Sequence, residues 1–204
     1  MGLIVGAETS ENKRTMVPEG SHVARCINYI DLGTADNEWK GEIKKRKRVI
    51  LTFEFPEHTA VFRESDGPQP LGRSVTYTNS LNEKSTLRKD LQAWRGKSFT
   101  AQELLGFDLD NVLGKPCLAM VQHDLKADGS KKDKIKGLSK LPDSLQAPEG
   151  SSEAWKYEIA EHPKNFDKVP AWCKEEILKS DTFKALHGDQ AETQTEVKTN
   201  EVPF

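Results

Sequence analysis

The sequence predicts a mainly β fold carrying a few helices, on three observations. Apolar and polar residues alternate at a period of two in most segments of the first 141 residues. The period shifts to one near 3.6 in one central stretch, and turn residues punctuate the chain between segments.

The first strand covers 22–31, entered through Pro18-Glu19-Gly20 and left through Gly33. Residues 33–43 read as a loop holding Trp39. Arg48 to Phe55, rich in β-branched and aromatic residues, is the second strand, halted by Pro56. Asp66-Gly67-Pro68 and Pro70 break residues 57–72, and 73–79 form the third strand. Ser80 with Glu83 has capping-box spacing. Leu87, Leu91 and Trp94 then fall on one helical face before Gly96. Thr100 with Glu103 repeats the signal for a shorter helix that stops at Gly106. After Gly114, residues 115–123 form the fourth strand, Asp128-Gly129 a hairpin turn, and 134–140 the fifth. The order β-β-β-α-β-β is that of the OB-fold, a five-stranded, partly open Greek-key barrel that binds oligonucleotides or oligosaccharides.

This barrel occupies 18–141, behind a flexible arm at 1–17. Residues 142–188 comprise a linker through Pro148-Glu149-Gly150-Ser151-Ser152 and a helical extension. Its helix, from Pro170 to Gly188, carries Trp172, Ile177, Leu178 and Phe183 and packs back on the barrel. Residues 189–204 form a disordered acidic tail with almost no apolar content before its last three positions.

With 204 residues, 35% hydrophobic and 30% charged, the chain can bury a core without staples. Apolar runs are too short to cross a membrane, and the first residues lack a secretory pattern, so a cytoplasmic protein is expected. Cys26, Cys117 and Cys173 form no C-x-x-C pair, which argues against a disulfide framework and a structural zinc. Residues 1–141 hold 23 Lys and Arg against 19 Asp and Glu, a net +4. Residues 142–204 hold 7 against 13, a net −6. A basic body suits a phosphate backbone, and an acidic end competes with that ligand or meets a second, basic partner.

The densest feature is Lys44-Lys45-Arg46-Lys47-Arg48 between the first two strands, in one of the two loops that clasp ligand in OB-folds. The other loop holds Lys126, Lys131 and Lys132, and the fifth strand sets Lys134, Lys136 and Lys140 on one face. Unpaired bases also need aromatic faces to stack on. Trp39 lies in the first loop; Tyr29 shares a strand face with Arg25, and Tyr77 with Arg73. Phe53 and Phe55 fall with Val49 and Leu51 and read as core, and Trp94 reads as a plug under the barrel.

Residues 67–74 have Walker A spacing, but Pro68 and Pro70 delete the N–H donors a phosphate needs and a strand follows rather than a helix. The five histidines do not pair at metal-ligand spacing, and no nucleophile elbow or H-E-x-x-H helix occurs. No catalytic residue, metal or cofactor is expected.

The chain ends Glu201-Val202-Pro203-Phe204, an acidic tail tipped by apolar residues and suited to capture in a pocket with a basic rim. With this ending, the strand order and the basic loops, the chain resembles single-stranded DNA-binding proteins, particularly the divergent phage-encoded type. Bacterial members end in an acidic run followed by Ile-Pro-Phe; here Val stands for Ile, and Glu192, Glu196 and Glu201 stand for the aspartates. The resemblance implies cooperative, sequence-tolerant coating of single strands in replication and recombination, often as a homo-oligomer, in a bacterial or phage-infected cell. It also implies that Val202, Pro203 and Phe204 recruit replication or repair enzymes. The alternatives are an adaptor that occupies a host replication enzyme, and a nucleic-acid enzyme binding magnesium through Asp108 and Asp110.

Overall fold

Two long strands pair along nearly their whole length because side chains suitable for a pleated surface continue past the apolar centre of each. The computed structural model describes residues 15–39, 41–147 and 152–188, without the Trp39 side chain. Most of the arm, the centre of the linker, and the tail with Val202, Pro203 and Phe204 lie outside the described residues. β1 (Gly20–Trp39) and β2 (Glu42–Val61) are antiparallel from Arg25↔Glu54 to Trp39↔Glu42. Both outrun the strands expected at 22–31 and 48–55. The polar stretch 33–39 and the cationic run pair with each other as a two-stranded ribbon, and such a ribbon needs no apolar alternation. Pro56 does not end β2. It falls inside a register shift between Phe55 and Thr59, after which Thr59, Ala60 and Val61 pair with Pro70, Gln69 and Pro68 at the start of β3 (Pro68–Thr78). The residues with Walker spacing therefore enter a strand.

β4 (Pro116–Leu125) and β5 (Lys131–Ser139) form a hairpin through Asp128-Gly129, and β4 pairs with β1, giving the antiparallel order β3-β2-β1-β4-β5. The short β6 (Trp155–Tyr157) adds in parallel to β1 at Asn28–Ile30. The fold is thus a mainly antiparallel open sheet with a few helices.

The helix α1 (Thr86–Arg95) buries Leu87, Leu91 and Trp94, as their spacing predicts. Its N-cap is Ser85, not Ser80. The Ser80 hydroxyl accepts from Asn82 N, and the resulting turn delays the helix. Thr100 and Glu103 make the expected capping box at the start of α2 (Ala101–Leu105). The single helix expected from Pro170 is two, α3 (Ala171–Lys179) and α4 (Asp181–His187). Buried Ser180 is extended, and its hydroxyl donates to Ile177 O and accepts from Phe183 N.

The sheet buries both faces. On the inner face Val49, Leu51, Phe53 and Phe55 meet Tyr77, Leu87, Leu91 and Trp94, whose indole donates to Pro116 O at 2.7 Å. On the outer face Ile30, Leu32 and Ile50 are sealed by Tyr157, Ile159, Cys173, Ile177 and Phe183. Each large apolar side chain so buried contributes about 1.5–3 kcal/mol. α3 and α4 cover β1 and the near side of β2, leaving the outer faces of β2 and β3 beyond them open.

Candidate nucleic-acid interface

A strand of five consecutive cations exists only where both faces reach water, and the β1–β2 ribbon supplies that position. Acids nonetheless meet four of the five: Lys44 with Glu42 (2.5 Å), Lys45 with Asp181 (2.5 Å), Lys47 with Asp31 (3.5 Å) and Arg48 with Glu176 (2.8 Å). The hydrogen bond that Lys45 donates to Asp181 holds its ammonium above the ordinary lysine range. Surface pairs such as Lys44–Glu42 and Lys45–Asp181 add little net stability and exchange readily for phosphate oxygens.

Arg46 has no acid partner among the described residues. It borders a cleft of about 430 Å³ between the end of β3 and the start of α1, with Thr76, Thr78, Ser80, Asn82 and Lys84. Lys84 likewise has none among the described residues. Next to the cleft the outer face of β2 and β3 is a floor of small hydroxyls, where Thr52 Oγ1 and Ser74 Oγ lie 2.9 Å apart. The β4–β5 tip supplies a second group of cations. Lys126, Lys131 and Lys132 are exposed; Lys126 lies in the field of Asp128, and Lys131 and Lys132 form no salt bridge among the described residues. Lys134 and Lys136 share Asp124 at 3.0 and 2.8 Å, which lowers its carboxyl below the usual range. Lys140 pairs with Asp143 at 3.1 Å.

Four residues expected at the interface are structural instead. Arg25 is a clasp: Nη1 donates to Glu54 Oε1 (2.9 Å) and Ser152 O (2.8 Å), and Nε to Gly114 O (3.2 Å). Arg73 is buried and donates through Nε to Asp133 Oδ2 at 2.5 Å, an oxygen that also accepts from Val17 N. Tyr29 and Tyr77 are each only 4% exposed, so neither ring offers a face to a base. The Tyr29 hydroxyl lies 2.7 Å from Asp110 and 2.5 Å from Glu158. Lys156 bonds both of these acids at 2.7 and 3.1 Å. Burial, then these carboxylates, push the Tyr29 phenol far above its ordinary range. Tyr77 donates to Asp90 at 2.8 Å; burial, then Asp90, raises its phenol in the same way.

One signal could have placed Arg73 correctly. It alternates with Leu71, Val75 and Tyr77, so strand parity turns it inward, and Asp133 sits at the inward parity of β5 beside Ile135. Tyr29 was less legible, because a register shift between Cys26 and Asn28 changes which face follows.

Asp108 and Asp110 do not form an open carboxylate pair. Lys156 and then Tyr29 hold the Asp110 carboxyl below the usual range, and Asp108 Oδ1 accepts from Asp110 N. The described residues contain no cluster of three or more His, Cys, Asp or Glu able to hold a metal ion, and no helix among them is long and apolar enough to cross a membrane. Comparison of the chain with protein-family models and with curated proteins gives no match.

Proposed function

We propose that the protein binds single-stranded DNA without regard to sequence, across the outer face of β2 and β3, and acts by binding rather than by catalysis. The observation that carries this reading is the continuity of three features: an open hydroxyl floor, the Arg46–Lys84 cleft at its end, and a ribbon whose exposed ion pairs a phosphate can replace. The exposed Lys126, Lys131 and Lys132 form the opposing clasp.

The strand order supports an OB-type barrel. Order β3-β2-β1-β4-β5 is what such a Greek-key barrel gives when opened between β3 and β5, and the Arg73–Asp133 pair joins those two strands. In this reading the protein serves replication and recombination in the cytoplasm of a bacterial or phage-infected cell, and Val202, Pro203 and Phe204 recruit a replication or repair enzyme.

The test is the salt dependence of oligo-dT binding. Arg46→Ala with Lys84→Ala should weaken binding and reduce the slope of log K against log salt by about 0.7 for each lost phosphate contact. An unchanged affinity and slope would place the interface elsewhere.

A further inference from the structure

Among the described residues, no strand offers an exposed aromatic ring to the hydroxyl floor, so within them a ring that stacks on an unpaired base there comes from another element. We propose that Trp172 of α3 is that ring, and that the C-terminal helical pair forms one wall of the single-strand site; this rests on the function proposed above.

Two ion pairs fix where α3 and α4 lie along β2. Asp181 meets Lys45 and Glu176 meets Arg48, so stepping back along the helices advances along the strand toward Ile50 and Thr52. Trp172 is one helical turn before Glu176 and on the same flank. That turn carries it beyond Arg48, alongside Ile50 and Thr52. There β3 contributes Thr76 opposite Ile50 and Ser74 opposite Thr52.

The indole is not part of the outer core. Cys173 and Ile177, on the adjoining face of α3, are fully buried in the outer core, whereas Trp172 is 53% exposed. An aromatic face therefore borders a polar floor within a few residues of Arg46 and Arg48, the pairing of ring and cation that single strands require. Bases in a duplex have both faces occupied by their neighbours, so the indole contributes only to single-strand binding.

The test uses the full chain and its Trp172→Ala and Trp172→Phe variants, whose folding is checked by thermal unfolding. Each is titrated by anisotropy into fluorescein-labelled oligo-dT and into an abasic oligodeoxynucleotide of equal length. Trp172→Ala should weaken oligo-dT binding by roughly 5- to 150-fold, the equivalent of about 1–3 kcal/mol per stacked base. Trp172→Phe should recover most of that loss, and all three proteins should bind the abasic strand equally. Wild-type affinity for oligo-dT in Trp172→Ala would overturn the assignment of Trp172 while leaving the nucleic-acid reading intact, and so would an equal loss on both strands. Failure of the wild-type protein to bind oligo-dT would overturn the function itself, and this assignment with it.

Discussion

Arg73 and Asp133 show how a charged residue in the basic body of an acidic chain can serve the fold rather than the ligand. Their side chains are 7% and 0% exposed, so removing one partner takes an opposite charge away from a buried group. Asp133→Ala should cost about 3–5 kcal/mol of stability in urea unfolding; a loss below about 1 kcal/mol would contradict the buried pair. Tyr77 behaves similarly on a smaller scale. Its hydroxyl is the donor to Asp90, whose carboxyl burial already raises above the usual range. Tyr77→Phe should cost about 1–3 kcal/mol yet leave oligo-dT affinity unchanged. A marked loss of affinity in a folded Tyr77→Phe protein would return that residue to the interface.

At the scale of elements, the docking of the C-terminal helices on β1 depends on Gly33. Its φ of 72° lies in the left-handed region, and a Cβ there would stand 2.5 Å from Ser180 Oγ and 2.8 Å from Ile159 Cδ1. Gly33→Ala should therefore cost about 2–5 kcal/mol, combining backbone strain with overpacking. Gly41 has a similar φ of 79° but open space around it, so Gly41→Ala should cost only about 1 kcal/mol. Equal thermal shifts in the two variants would contradict close docking at Gly33. Strands were legible where one face is apolar: Val49 to Phe55 and Cys117 to Val121 announce themselves. The ribbon was not, because its partners are polar on both faces and only cross-strand pairing identifies them as strand. The division of α3 from α4 was equally hidden. Nothing in the spacing of Trp172, Ile177 and Phe183 shows that Ser180 turns back to cap a new helix.

For the whole molecule, acid should act first through histidine. His22 donates from Nε2 to Pro18 O, and its Nδ1 lies 2.9 Å from His58 Nε2. Burial, then His22, lowers the His58 pKa from its ordinary 6.5; burial, then His187, lowers that of His162. The unfolded chain therefore binds more protons just below pH 6.5. The stability these groups contribute is complete above that value and is lost as pH falls through their lower folded values. The melting temperature should fall between pH 7 and pH 5, less steeply in His58→Gln; a flat profile would contradict the lowered His58 and His162 values. The charge division into a basic body and an acidic end was legible in the sequence, as were both cationic clusters, although the first lies in a strand rather than in a loop. The burial of Tyr29 and Tyr77 was not, since parity alone could not tell these rings from the exposed Trp172. Single-strand binding is tested by titrating the intrinsic tryptophan fluorescence with oligo-dT and with a duplex of equal length, at low and moderate salt. Quenching by the single strand alone, weakening as salt rises, is the predicted result; no response to either, or an equal response to both, would contradict it.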